Sequence, residues 1–172
     1  MSRDGATGLH GIITFRLAGQ PFGLPVGTVA EVAPLAWLER PPQMPSVVEG
    51  ILNLGGQAVT VLRLDRLLGL DDGAYGVDSS ILIMRTHDGE PGQIGLLVEH
   101  VEGVRPIEDY TIQGFPDRRS FNGCVAEQVE RGGVTMPVLS WANLLLAEER
   151  VRLAEFHAMA QSRLAGLVEP TP

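Results

Sequence analysis

From Ile12 to Leu17 apolar and polar residues partly alternate, with Ile13, Phe15 and Leu17 on one face, and this period of two predicts a half-buried strand. Ala18-Gly19-Gln20-Pro21 supplies a turn, and Phe22 to Val26 returns as a second short strand. Its Pro25 lacks a backbone donor and so marks an edge or a strand end. Thr28 to Val32 is expected to form a helical turn before another extended piece reaches Trp37. Pro41, Pro42 and Pro45 make 40–46 an extended, exposed loop. The clearest hairpin follows: Gly50 to Leu54 and Ala58 to Leu64, joined through Gly55-Gly56, where positive φ is needed. Leu67 and Leu68 close this half.

Asp71 to Ser79 is rich in Gly and Asp and poor in large apolar groups, so it reads as a linker, and the boundary between two subdomains is placed at 71–79. The second half repeats the style. Ile81 to Arg85, Ile94 to Val98 and Val101 to Ile107 read as strands, with a turn at His87 to Gly92. A loop from Gln113 to Asn122 holds Pro116 and the pair Arg118-Arg119. Gly123 to Val129 and Val134 to Leu139 then flank a turn at Arg131-Gly132-Gly133, which makes roughly ten strands in two sets.

Ser140 is a good N-cap, and Ala, Leu, Glu and Arg dominate from Trp141 to Leu167, so this stretch is one long helix or two. Leu153, Phe156, Ala160, Leu164 and Leu167 fall on one helical face, which must be buried. It packs against the barrels or docks to a partner or a second copy; truncation after Ala147 separates the two.

Composition narrows the picture. In 172 residues, 44% are hydrophobic and 20% charged, as in a globular chain, and 21 Gly with 12 Pro punctuate it as many turns require. The net charge of -8 and pI near 4.9 disfavour phosphate backbones and anionic lipid, so nucleic acid is not an expected partner. The single cysteine, Cys124, rules out an internal disulfide and suits a reducing cytosol. The start of the chain has no signal-peptide pattern, and no apolar run reaches the ~20 residues of a membrane span, so the expected location is cytoplasmic, without membrane insertion.

A search for convergent chemistry finds little. His10, His87, His100 and His157 lie in unrelated contexts. Glu99, His100 and Glu102 are the best metal candidates, yet in a strand only His100 and Glu102 share a face. Cys124 opens an apolar strand, where a thiol behaves as a buried hydrophobe with raised pKa. No nucleophile elbow, phosphate loop or dinucleotide fingerprint occurs. The expectation is a binding protein with no catalytic residue, metal or cofactor.

The residues Phe15 to Leu24, Val29, Glu31-Val32, Pro45, Gly50 to Gly56, Val59, Val61, Leu64 and Leu68-Gly69 form a series that resembles CheW-like domains in order and spacing. The likeness continues through Ile94 to Val98, Val101 to Ile107, Phe121-Asn122-Gly123, Pro137 to Leu139 and Leu144-Leu145. It implies an all-β fold of two fused five-stranded SH3-like barrels with a C-terminal helix. The divisions are a flexible N-terminus over 1–11, the CheW-like domain over 12–147 and a helical extension over 148–172. It further implies a non-catalytic adaptor that joins the cytoplasmic tips of methyl-accepting chemoreceptors to the regulatory domain of a CheA-type histidine kinase, recruited to membrane-bound arrays. The seam between barrels would offer a groove for a receptor helix.

Val29, Glu31, Asn53 and Leu54 match family positions near receptor contact. The family usually reads Asn-Leu-Arg-Gly where this chain has Asn53-Leu54-Gly55-Gly56, and Arg63 stands where an acid is usual. Gly55, Gly56 and Arg63 therefore join the candidate set, with Arg63 expected to pair with Glu31 from a neighbouring strand. The alternative reading is a barrel that binds a small ligand or regulates an enzyme directly, which a deep polar-lined pocket would favour.

Overall fold

The computed structural model describes residues 10–86, 93–114, 123–145 and 147–168, and within the last of these the side chains of 147, 148, 150, 151, 167 and 168 are left aside. The expected flexible start up to residue 9, the turn at 87–92, and 115–122 with its arginine pair lie outside the described residues.

β1 (Gly11–Leu17) and β2 (Gln20–Pro25) form the first hairpin, with Ala18 and Gly19 at positive φ in a two-residue turn. The expected helical turn at 28–32 sits earlier, as a 3-10 turn over Val26–Thr28. The chain is then extended in β3 (Val29–Pro34), because pairing with the apolar run of β6 overrides the local preference. β4 (Val48–Leu54) and β5 (Gln57–Arg63) make the expected hairpin, followed by the single turn α1 (Leu64–Leu67), β6 (Ser80–Met84) and β7 (Ile94–Val98). β8 (His100–Pro106), β9 (Thr111–Ile112), β10 (Val125–Arg131), β11 (Val134–Leu139) and α2 (Ala147–Val168) complete the chain.

The strands form a six-stranded sheet, β8-β1-β2-β11-β10-β9, and a five-stranded sheet, β3-β6-β7-β5-β4. The expected all-β pair of small barrels with a terminal helix is the observed architecture, with the two-residue β9 as a sixth strand in one sheet. The expected boundary at 71–79 is corrected by the pairing: β5 precedes that loop, β6 follows it, and both belong to the five-stranded sheet. That sheet is an insertion in the other, which takes its strands from both ends of the domain. The physical reason is the run Ile81 to Met84, buried on both faces, which can only be a central strand and sits between β3 and β7.

Alternation along the strands divides the core. Ile81 and Ile83 point with Val59, Val61 and Leu97 into the five-stranded barrel, while Leu82 and Met84 point with Leu62 and Leu96 toward the other sheet. Likewise Ile12 packs with Val129, Met136 and Val138 inside the six-stranded barrel, and Ile13, Phe15 and Leu17 enter the shared layer. Trp141, Leu144, Leu145 and Leu153 pack into the same layer, so the seam is filled by this chain's own side chains. The five-stranded barrel closes where Glu39 and Ile51 exchange backbone hydrogen bonds of 2.9 and 2.8 Å. Gly50 permits this approach: a Cβ there would lie 2.8 Å from the Leu38 Cβ and 2.9 Å from the Glu39 carbonyl oxygen.

The terminal segment is two elements, a 3-10 turn over Trp141–Asn143 and then α2. Ser140 precedes the 3-10 turn without a side-chain cap. Leu153, Ala160 and Leu164 are buried and Phe156 half-buried, against the shared core and against Ile51 and Ala58 of the β4–β5 hairpin. Two polar contacts add direction. The Ala58 N–H donates to Gln161 Oε1 at 2.9 Å, and Thr60 Oγ1 lies 3.3 Å from His157 Nδ1. The apolar stripe therefore packs on the barrels, and the side chain of Leu167 lies outside the described residues.

Candidate functional site

The pairing directions decide which candidate residues meet. β3, β5 and β7 run one way, β4 and β6 the other, so the start of β3, the end of β4 and the start of β5 share one end of the five-stranded barrel. Asn53, Leu54, Gly55 and Gly56 form the tip at that end, whereas Glu31 lies level with Ile83, Gly95 and Val61, partway along β5, with Val29 nearer the start of its strand. Arg63 closes β5 six residues after Gln57, about 20 Å along the strand. The structure thus gathers Asn53, Leu54, Gly55 and Gly56 at the hairpin tip, while Glu31 falls between that end and the level of Arg63.

Local chemistry shapes the hairpin tip. Gly55 and Gly56 have φ of 61° and 88°, as a two-residue turn closed by the Leu54–Gln57 pair requires. The Asn53 side chain braces it, its Oδ1 accepting the Gly56 N–H at 2.9 Å. Asn53, Gly55 and Gly56 are exposed, whereas Leu54 is half-buried against the barrel interior. Val29 faces the shared core and is available to a partner only through its backbone edge. Glu31 is exposed on β3 beside Val32, and among the described residues it forms no ion pair.

The expected Arg63–Glu31 pair is not formed. β6 and β7 lie between their strands, three strand spacings or about 14 Å. Arg63 is instead buried and forks onto Asp65, with Nε to Oδ1 at 2.9 Å and Nη2 to Oδ2 at 2.7 Å. Glu49 Oε2 at 3.4 Å and Asp72 Oδ1 at 3.3 Å flank it, and the guanidinium stands 4.6 Å from the centre of the Tyr75 ring. Asp65, fully buried, also accepts the N–H groups of Arg66 at 3.0 Å and Gly73 at 2.8 Å. Burial pushes the Asp65 carboxyl up, but the Arg63 fork and the Gly73 N–H outweigh it and hold it below the usual carboxylate range. The Asp65 bonds hold Arg63 protonated beyond its ordinary value, and burial with the Asp65 charge raises the Tyr75 phenol. Arg40 on Glu49 at 2.7 Å and Arg66 near Asp72 at 3.6 Å extend the network to three arginines and three acids. Its work is to pin the 71–79 loop to the end of β5.

Other candidate chemistry stays dispersed. Glu102 is held by Arg16 at 2.5 Å and Glu99 accepts the Ala18 N–H, so neither points with His100 to a common centre. Among the described residues no three of His, Cys, Asp and Glu converge to hold a metal. Cys124 is buried, with its thiol pushed up by burial and then by Glu149, and its Sγ donates to the Asn143 carbonyl at 3.4 Å. No helix among the described residues is long and apolar enough to cross a membrane.

One exposed group escaped the sequence reading. Trp37 is 82% exposed, beyond the end of β3, with Val32 at 44% on the same stretch. The only sequence signal was the adjoining proline-rich loop, which keeps the segment at the surface.

The model of the CheW-like domain family matches residues 11–149. The chemotaxis protein CheW of Thermotoga maritima is 29% identical over 98 residues, 57% of this chain and 62% of that relative's length. The crystal structure of the scaffolding protein TtCheW from Thermoanaerobacter tengcongensis superposes with a TM-score of 0.70 at 24% identity, covering 81% of this chain and 90% of that one, a likeness of fold.

Proposed function

From the premise that this chain belongs to the CheW-like domain family, we propose that it is a non-catalytic chemosensory adaptor, which couples the cytoplasmic tips of methyl-accepting receptors to a CheA-type histidine kinase. On this reading it works in the cytoplasm and is recruited to membrane-bound receptor arrays. The observation that carries the proposal is the family match over 11–149, to which the structure adds the exposed Glu31 of β3 and the exposed Asn53, Gly55 and Gly56 of the β4–β5 tip.

The seam is filled, so the receptor helix meets the β3 surface rather than a groove between the barrels. An amphipathic helix from a receptor tip can lay its apolar side against Val32 while polar groups meet Glu31. Co-sedimentation with a receptor cytoplasmic fragment and with the kinase regulatory domain tests the reading. Binding to both is expected, reduced for the receptor by Glu31→Arg. No complex with either would overturn it.

A further inference from the structure

A half-open cleft of about 440 Å3 lies in the six-stranded barrel, far from the hairpin tip in chain and sheet, and its size suits a small ligand. Its buried lining is Thr14 and Met136; Val104 and Val134, 59% and 56% exposed, give it apolar sides. The chain contains no lysine, so all 13 of its cations are arginines, and three of them, Arg16, Arg105 and Arg131, line this one cleft with Tyr110. In a protein of net charge -8 that is a local reversal of sign.

The three guanidinium groups differ in what they already hold. Arg16 is committed to Glu102, the one acid lining the cleft, at 2.5 Å, and to the Gly19 carbonyl at 3.1 Å. Arg105 has only a long contact with Asp109 at 3.8 Å. Arg131 forms no ion pair among the described residues, and its neighbour Glu130 is turned to the Gly133 N–H at 2.7 Å. One free and one loosely held fork thus face a cleft whose other polar group is a phenol.

The geometry points to a small organic monocarboxylate as the ligand of this cleft, its carboxylate on Arg131 and Arg105 and its carbon body against Met136, Val104 and Val134. A guanidinium fork matches a planar carboxylate in two parallel hydrogen bonds, and the Tyr110 hydroxyl can donate a third. A phosphate dianion fits less well: Glu102 lines the same cleft, Asp109 stands beside Arg105, and the apolar sides would be left without a partner.

The test is titration of hexanoate, hexan-1-ol and inorganic phosphate into the full chain, followed by amide chemical shifts. Hexanoate is expected to move Val104, Arg105, Tyr110 and Val134 saturably, while the uncharged alcohol and phosphate bind more weakly. Arg131→Ala should weaken hexanoate about ten-fold, as loss of a charge-assisted hydrogen bond does, and Arg131→Lys should recover only part. Arg131 is exposed, so both variants fold, and an unchanged amide spectrum elsewhere checks this. No saturable shift with hexanoate, equal binding of the alcohol, tighter binding of phosphate, or full affinity in Arg131→Ala would each overturn the assignment.

Discussion

Replacing Asp65 by Asn isolates the buried ion cluster at the end of β5. The side chain keeps its shape, yet Arg63 loses its counter-charge while remaining buried, and its other acids stand at 3.3 and 3.4 Å. The new amide has one acceptor oxygen where the carboxylate received four hydrogen bonds, from two Arg63 nitrogens and the N–H groups of Arg66 and Gly73. Its NH2 must face at least one of those donors. Breaking a buried pair from one side costs about 3–5 kcal/mol, and the flanking acids lower that to roughly 3. In a domain of this size that corresponds to a fall in Tm of about 6–12 °C.

The pH dependence carries the sharper test. Asp65 titrates below its ordinary value of 3.8 in the folded chain, so its contribution is complete above that value and is lost as pH falls through the lower folded one. Urea unfolding of wild type and Asp65→Asn, followed by circular dichroism from pH 7 down to pH 2.5, should give a gap that is constant above about pH 5 and closes below about pH 4. A gap under 1 kcal/mol at pH 7, or one that persists unchanged at pH 2.5, would refute the ion-pair account.

Other expectations follow from the same coordinates. Gly50→Ala should cost about 1–3 kcal/mol in a thermal melt, since its Cβ meets the Leu38 Cβ and the Glu39 carbonyl, where only a backbone shift makes room. Gly55→Arg, which recreates the family-typical tip, has open space for its Cβ but φ of 61°, so a loss of about 1 kcal/mol is expected; a gain in affinity for a receptor fragment would tie the tip to partner choice. His157 is held below 6.5 by burial, so the folded chain binds fewer protons than the unfolded one. Its contribution is therefore present at higher pH and declines as pH falls through 6.5, and the protection factors of the Ala58 and Thr60 amides, with the intrinsic pH dependence of exchange divided out, should fall from pH 7.5 to 5.5, an effect His157→Gln removes.

The hairpins were legible because each rests on local chemistry. Gly55-Gly56 and Gly132-Gly133 allow the positive φ of tight turns, and the alternation of Ile13, Phe15 and Leu17 fixes one face of β1. What pattern could not convey was which hairpins share a sheet. The Gly- and Asp-rich stretch at 71–79 has the composition of a linker, yet it is a loop within one barrel, pinned by Asp65 through the Gly73 N–H. The 28–32 stretch failed for a related reason: its conformation is dictated by β6, a strand some fifty residues away in sequence, through pairs such as Val32 with Leu82.

The electrostatics of the candidate residues were not legible in the sequence. Strand pairing puts Asn53 and Leu54 at the β4–β5 tip and Val29 and Glu31 on β3, with Glu31 level with Val61 rather than with the tip. Whether Arg63 compensates the glycine at 55 depended on lateral strand order, and that order puts β6 and β7 between Arg63 and Glu31. The nearer signal was Asp65, two residues on, the spacing at which side chains share a face of an extended chain. With Arg63 committed there, Glu31 stands exposed on β3 without an ion pair among the described residues, and the tip residues Asn53, Gly55 and Gly56 carry no charge. On the proposed reading, a partner docking on β3 brings its own cation to Glu31. On the same reading, glycine at position 55 removes a charge from the surface offered to a receptor, while the barrel that presents it stays intact.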